Sequence, residues 1–540
     1  MSDRTAVDVP ADALVESLRR LLQSRLGRVV QRIDTHISWV LLDGEHAWKI
    51  KKPVRLGFLD FSRIDVRRHC CEEELRLNRR LAPSIYLDVV PVYGSVTAPI
   101  LGDDPDRDEG RGRNPQDDGQ EVRHGDAIEH VLRMKQFADG ALFSERLAAG
   151  RLGASEIDRL AARLAAFQAT AEAAGADTDF GSPALVRTTI ADVLAGIASQ
   201  PQAARGVGLP EWCDARATAL APCFEARKAG GRVREGHGDL HLSNLVVLEE
   251  DVTAFDCIEF DPQLRWIDMQ CDIAFVTMDL RAHGRRDLAF RFLDRWLEAS
   301  GDHAGLAVLR YYEVYRALVR ALVAGIRAAQ GKGGDAEQPD YLGLAQELTR
   351  EEDPRLLVTH GLSGSGKSFV ATRLLERAGA IRLRSDVERK RLLGLGALEA
   401  SAPKTGQAYT AQSTHRTYAA LLDAARTALQ AGYPVIVDAA FLRAGERDDF
   451  RALARELRAP FTILHCHADP ALLRERVRER SLRGDDASEA DVAVLERQLA
   501  GHDALREDER ALAITVDTAQ ALDLPAIIRR WLGAASGLDQ

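Results

Sequence analysis

Gly361-Leu362-Ser363-Gly364-Ser365-Gly366-Lys367-Ser368 is the run whose chemistry is easiest to name. Its glycines, with Ser363 and Ser365 between them, let the backbone wrap phosphates with N–H groups turned inward, at the positive end of a following helix. Lys367 would neutralise the β- and γ-phosphates of ATP, and the Ser368 hydroxyl would ligate Mg²⁺. The flanks suit this, since Leu356-Leu-Val-Thr is β-like and Phe369–Ala378 is helical. A second polar run lies upstream: His237-Gly238-Asp239-Leu-His241-Leu-Ser-Asn244. Twelve residues beyond Asn244, Thr253-Ala-Phe255-Asp256 reads as a strand ending in a carboxylate.

The elements around the glycine-rich run alternate. Short apolar strands at Arg355–His360, Ile381–Arg384, Val435–Val437, Phe461–Cys466 and Ala513–Val516 are separated by helical stretches, which predicts a parallel sheet with helices on both faces. The second strand runs into Ser385-Asp386. Asp386 reads either as a group that orients or deprotonates an acceptor hydroxyl, or as the N-cap of the helix that follows. The third strand ends in Asp438, a position for Mg²⁺ or its water shell, or simply a turn residue. Arg474 to Arg483 is an arginine-dense helix: a solvated face by its charge pattern, or a lid in which Arg476 and Arg480, one turn apart, clamp phosphates.

These residues resemble the P-loop kinase family that includes polynucleotide-kinase-like and zeta-toxin-like enzymes, grouped with AAA-type ATPases, over about residues 355–535. The resemblance implies that the strand end at Asp386 faces the phosphoryl acceptor and that Arg476 and Arg480 sit in the lid.

Upstream, His36–Leu42 and His46–Lys51 alternate around Asp43-Gly44, which is hairpin chemistry. A helix over 63–81, a strand over Leu87–Tyr93, a helical region over 141–230 and a long helix over 304–329 follow. His-Gly-Asp-x-His-x-x-Asn resembles the aminoglycoside phosphotransferase and choline-kinase-like group, across about residues 29–330. By that resemblance Asp239 is the catalytic base, Asn244 and Asp256 hold magnesium, and Asp272 braces the catalytic loop. Lys49 stands where such enzymes keep a phosphate-binding lysine, with Lys51 and Lys52 competing for the role. Glu74, ahead of Glu73, is the candidate ion-pair partner. No Gly-x-Gly-x-x-Gly loop precedes Lys49, a departure from the protein-kinase pattern. Glu259 and Asp261 read as turn and loop-bracing residues.

A chain of 540 residues exceeds one ordinary core, so more than one domain is expected. The divisions are an N-terminal α+β bilobal kinase-like domain (1–335; small lobe 29–137, helical lobe 138–330), a linker (336–352) and a C-terminal α/β P-loop domain (353–540). Residues 98–126, rich in Asp, Gly, Arg and Pro, read as a mobile loop. A net charge of −10 argues against a general nucleic-acid or membrane coat. No long apolar run marks a transmembrane helix and no signal pattern opens the chain. Seven cysteines without a Cys-x-x-Cys pair suggest neither disulfide framework nor zinc site, which points to the cytoplasm. The expected cofactors are ATP and Mg²⁺, and the expected partner is a small-molecule acceptor. Two other readings stay open: a nucleotide sensor with little turnover, and a C-terminal kinase for nucleic-acid ends or nucleotide sugars.

Overall fold

An aspartate turn starts the N-terminal sheet. Asp43 Oδ1 accepts the N–H groups of Glu45 and His46 at 2.8 and 2.7 Å, Gly44 takes φ +92°, and the chain reverses there. In the computed structural model, residues 9–533 are described apart from 57–58, 103–125, 250, 330–337, 398, 400–410 and 484–485. The reversal joins β2 (Ser38–Leu42) to β3 (His46–Lys51). With β1 (Gln31–Asp34), β4 (Tyr86–Gly94), β5 (Pro99–Leu101) and β6 (Glu129–Lys135) these form an antiparallel sheet of order β1-β2-β3-β6-β4-β5.

Two helices serve this sheet. Helix α1 (Val9–Leu26) sets Leu14, Val15, Leu18 and Leu22 against Trp39, Leu41, Trp48 and Ile50. It precedes residue 29, where the sequence places the start of the small lobe. Helix α2 (Ile64–Arg79) buries Cys70, Cys71, Glu74, Leu77 and Asn78. The hairpin β7 (Leu245–Leu248) and β8 (Asp251–Ala254) belongs to the same compact unit, which comprises residues 1–152 and 235–267. An antiparallel hairpin brings its two ends together, so Asn244 before β7 and Asp256 after β8 become neighbours: Phe255 N donates to Asn244 O at 3.0 Å.

The second unit, residues 153–234 and 268–540, holds helices α3 (Ala154–Thr170), α4 (Pro183–Ala198), α5 (Leu209–Ala229), α6 (Met269–Ala282), α7 (Arg286–Ser300) and α8 (Leu306–Ala329). The stretch assigned to a linker contains helix α9 (Tyr341–Arg350), whose Tyr341, Leu342, Ala345 and Leu348 are buried. Tyr341 Oη donates to Asp279 Oδ1 at 2.8 Å, so this stretch packs on the helical region rather than spacing it. Part of the loop expected at 98–126 is likewise β5, too short to show a period; its central residues lie outside those described.

The same unit contains a five-stranded parallel sheet: β9 (Leu356–His360), β10 (Ile381–Arg384), β11 (Val435–Asp438), β12 (Phe461–His467) and β13 (Ala513–Asp517), in the order β10-β11-β9-β12-β13. β9 and β11 are buried along their whole length, as strands covered on both faces must be. Helices α10 (Lys367–Ala378), α11 (Ser385–Leu392), α12 (Ala411–Gln430), α13 (Ala444–Glu456), α14 (Pro470–Arg483), α15 (Val492–Ala500) and α16 (Leu524–Leu532) complete the α/β P-loop fold. Among the described residues no helix is long and apolar enough to cross a membrane. All seven cysteines are unpaired.

Leu374, on the inner face of α10, is fully buried. Leu374→Ala is expected to cost about 2–5 kcal/mol, read as an earlier midpoint of the C-terminal transition in urea. An unmoved midpoint would contradict this packing.

Candidate functional site

In the N-terminal unit the charges converge from β3, α2 and the β8 exit. Lys49 and Lys51 are two apart on a strand and therefore share a face. Lys49 Nζ lies 2.7 Å from Glu74 Oε1 and 2.5 Å from Asp256 Oδ1. Lys51 Nζ lies 2.8 Å from Glu74 Oε2 and pairs on its other side with Glu259. Lys52 points elsewhere, donating to Thr35 O at 2.5 Å and lying over the Trp39 ring. Glu73 pairs with Arg76 at 2.9 Å. Glu259, read from sequence as a turn residue, is thus part of a buried four-charge cluster with Lys49, Lys51 and Glu74.

Burial works against the Lys49 charge, but the carboxylates of Asp256 and Glu74 outweigh it and hold its pKa well above the ordinary lysine value. Burial likewise opposes the Glu74 charge, and Lys49 and Lys51 overcome it, bringing Glu74 down to about 2. Both groups stay ionised at neutral pH, so Lys49 presents a fixed cation and Asp256, 42% exposed, is held beside it.

The loop before β7 is turned by Gly238 at φ +86°, where a Cβ would lie 2.5 Å from Leu264 O. His237 Nε2 sits 3.0 Å from Phe255 O, tying the loop to the exit of the β7–β8 hairpin. Asn244 Nδ2 donates to Asp239 O and Asp239 Oδ2, both at 3.0 Å, and His241 Nε2 is 3.3 Å from the same Asp239 oxygen. With its amino end committed to Asp239, Asn244 has its Oδ1 left as the atom suited to a cation. Asp256 adopts φ +64° and its N–H donates to Tyr86 Oη at 3.0 Å, a strained turn of the kind kept at functional positions. Asn244 and Asp256 are oxygen donors of the type Mg²⁺ takes alongside phosphates. Asp272 lies buried on α6, in the other unit.

The C-terminal site opens on a cavity of about 850 Å³ at the ends of β9, β10 and β11. Gly364 and Gly366 take φ +81° and +77°, and α10 begins at Lys367. Gly361 and Ser365 form the back of the loop: a Cβ on Gly361 would lie 2.3 Å from Cys466 O, and Ser365 Oγ is buried without a hydrogen-bond partner. Ser363 N–H donates to Gln498 Oε1 at 2.8 Å. Lys367 Nζ donates to Leu362 O at 2.9 Å, and burial pushes its pKa below the ordinary lysine value. Lys367, Ser368, Asp386, Asp438, Arg476 and Arg480 all line the cavity.

Asp386 is not the helix cap. α11 starts one residue earlier, its N-cap is Arg384 without a side-chain bond, and Asp386 sits in the first turn paired to Arg389 at 2.8 Å. Burial opposes its charge, but Arg389 and Arg384 win and lower its pKa, which suits it to orient a hydroxyl as an anion at neutral pH. Asp438 Oδ2 is buried and accepts no hydrogen bond. That orphaned oxygen, with the Ser368 hydroxyl lining the same cavity, fits a hard divalent cation whose other ligands come from a nucleotide. Arg476 donates to Thr518 Oγ1 and O at 2.9 and 2.8 Å, and Arg480 donates to Ala490 O at 2.7 Å. Both stand at the cavity wall from α14, and Gly484-Asp485 beyond it lies outside the described residues.

Arg384 was not picked out from sequence, yet it lines the cavity between Asp438 and Asp486. The available signal is Arg382-Leu-Arg384, where period two puts both arginines on one face of a buried strand.

Residues 356–505 match the family described as an AAA domain. An uncharacterised protein of Mycobacterium tuberculosis strain H37Rv is 28% identical over 479 residues, covering 87% of this chain and 90% of its own. A Mycobacterium bovis protein matches to the same extent, so the similarity runs through both halves. Among solved structures, a gluconokinase from Sinorhizobium meliloti is 24% identical, covering 34% of this chain and 91% of its own with a TM-score of 0.24. A choline/ethanolamine kinase family protein from Mesorhizobium loti is 12% identical, covering 62% and 92% with a TM-score of 0.34. The family match falls on the P-loop domain.

Because Glu74 has a depressed pKa, its contribution is present above pH 4.5 and is lost as pH falls through about 2. Glu74→Gln is expected to destabilise the N-terminal unit by about 3–5 kcal/mol at neutral pH, since two buried ammonium groups lose a shared anion. The variant should lose less further stability between pH 5 and pH 3 than wild type. Denaturant titrations at the two pH values check this, and identical pH profiles would contradict it.

Proposed function

We propose that the chain is a bifunctional ATP- and Mg²⁺-dependent phosphotransferase in which each site moves the γ-phosphoryl group to a hydroxyl of a small molecule. One observation carries the reading. Two separate places in the chain each gather a part-buried ammonium group, an oxygen pair suited to Mg²⁺ and a further carboxylate.

In the N-terminal site Lys49 meets the phosphates, Asn244 and Asp256 hold the metal, and Asp239 takes the acceptor's proton. In the C-terminal site the backbone of 361–366 and Lys367 hold the phosphates, and Ser368 and Asp438 hold the metal. Asp386 orients the acceptor and takes its proton, while Arg476 and Arg480 steady the transferred group. Bound Mg²⁺ neutralises phosphate charge. In each transfer the acceptor O–H bond breaks, its oxygen bonds the γ-phosphorus, and the bridging P–O bond to the β-phosphate breaks to release ADP. Catalysis is then chiefly positioning and charge neutralisation.

A second reading concerns the C-terminal acceptor. Seven arginines line that cavity, which favours an acceptor already bearing phosphate, such as a nucleic-acid end or a nucleotide sugar.

With γ-labelled ATP and a panel of hydroxylated and phosphorylated metabolites, wild type should give two classes of product. Asp239→Ala should abolish one and Lys367→Ala the other, each by about 100-fold or more. Nucleotide binding with no labelled product from any acceptor would replace the enzyme reading with a nucleotide sensor.

A further inference from the structure

The β10 strand delivers two guanidinium groups into the interior beside the metal-side carboxylate of the P-loop site. Arg384 Nε lies 3.8 Å and Arg382 Nη1 4.0 Å from Asp438 Oδ2, the oxygen that accepts no hydrogen bond. Two cations that close to a buried carboxylate would ordinarily collapse onto it, because attraction rises steeply as water is excluded. They are held short by anions on α7. Asp294 takes Arg382 through two bonds, from Nε at 3.1 Å and Nη2 at 2.7 Å. Glu298, one turn further on, receives Arg382 Nη2 at 3.1 Å and Arg384 Nη1 at 3.3 Å on a single oxygen. Asp486 takes the remaining Arg384 nitrogen at 2.8 Å, and Thr372 Oγ1 accepts from Arg382 Nη1 at 2.7 Å. Arg295 holds the other Glu298 oxygen at 2.8 Å, fixing the carboxylate's orientation.

Helix α7 lies in the helical region upstream of the P-loop domain, about 70 residues before Lys367 in sequence. None of the sequence motifs includes it. Nothing in P-loop chemistry alone requires its acids. What they supply is closer counter-charge: Arg382 and Arg384 hydrogen-bond to these acids while standing 4.0 and 3.8 Å from Asp438.

We propose that Glu298, seconded by Asp294, is a positioning residue for the C-terminal site: it draws the two guanidinium groups away from Asp438 and so keeps that carboxylate available to the Mg²⁺ of a bound nucleotide. The proposal rests on reading 361–368 as a Mg²⁺-nucleotide site. By this arrangement the upstream helical region sets the metal affinity of the P-loop site, and any displacement of α7 is felt there first as a change in Mg²⁺ requirement.

The test uses full-length protein and a fluorescent ADP analogue, following the part of the binding signal that Lys367→Ala abolishes. Binding is titrated with Mg²⁺, and measured separately in EDTA. Glu298→Gln keeps the side chain's shape and removes its charge. It should raise the Mg²⁺ concentration for half-maximal binding by about 10-fold, the effect typical of groups that orient a metal ligand, while leaving the affinity in EDTA at the wild-type value. Glu298→Gln combined with Arg384→Gln should recover much of the loss, since it removes one of the cations Glu298 restrains. A single variant with wild-type Mg²⁺ dependence, or one weakened equally in EDTA and Mg²⁺, would overturn the proposal, as would a double variant with no recovery. If wild type shows no Lys367-dependent binding at all, the nucleotide reading fails and takes the proposal with it.

Discussion

Charge taken out of water must be met by opposite charge, and both halves of this chain are arranged around that requirement. Lys51 is buried with its ammonium between Glu74 and Glu259. Arg382 is buried with its guanidinium on Asp294 and Glu298. Each arrangement would cost several kcal/mol if one partner were removed, because the remaining charge would be stranded in the interior. Such clusters do little for net stability compared with apolar packing, so their presence at the two candidate sites is informative. In each, the buried pairs fix the position of neighbouring charged groups: Lys49 and Asp256 upstream, Asp438 downstream.

Backbone geometry does the remaining placement. In the N-terminal unit a short antiparallel hairpin closes the distance between Asn244 and Asp256, and Gly238 and Asp256 adopt left-handed conformations to make the approach. In the C-terminal unit a parallel sheet aligns the ends of β9, β10 and β11, so Lys367, Asp386 and Asp438 share one edge although some 70 residues separate the first from the last. That edge, outside the carboxyl ends of parallel strands, is where an open α/β sheet offers a crevice.

Much of this was legible from sequence where local pattern decides. The five parallel strands, the P-loop between β9 and α10, and the Asp43-Gly44 hairpin follow from period, turn chemistry and glycine placement. Long-range pairing was less legible. Strand period puts Lys49 and Lys51 on one face and Lys52 on the other, but the pairing of Lys51 with Glu259 depends on where a loop 208 residues later returns. Asp386 read equally as a cap or as a group facing an acceptor, and the cap reading fails because the helix begins a residue earlier and a nearby arginine pairs with the side chain. Arg382 and Arg384 gave no clue to their partners, because Asp294 and Glu298 sit in an amphipathic helix whose acids look solvated by pattern alone.

The central claim is that one chain carries two nucleotide-dependent sites. Nucleotide stoichiometry tests it most directly: equilibrium binding of a non-hydrolysable ATP analogue with Mg²⁺ to the full-length protein. Two equivalents per chain are predicted for wild type and one for Lys367→Ala. A wild-type value of one that falls to zero in Lys367→Ala would contradict the upstream site, and a wild-type value that Lys367→Ala leaves unchanged would contradict the P-loop site.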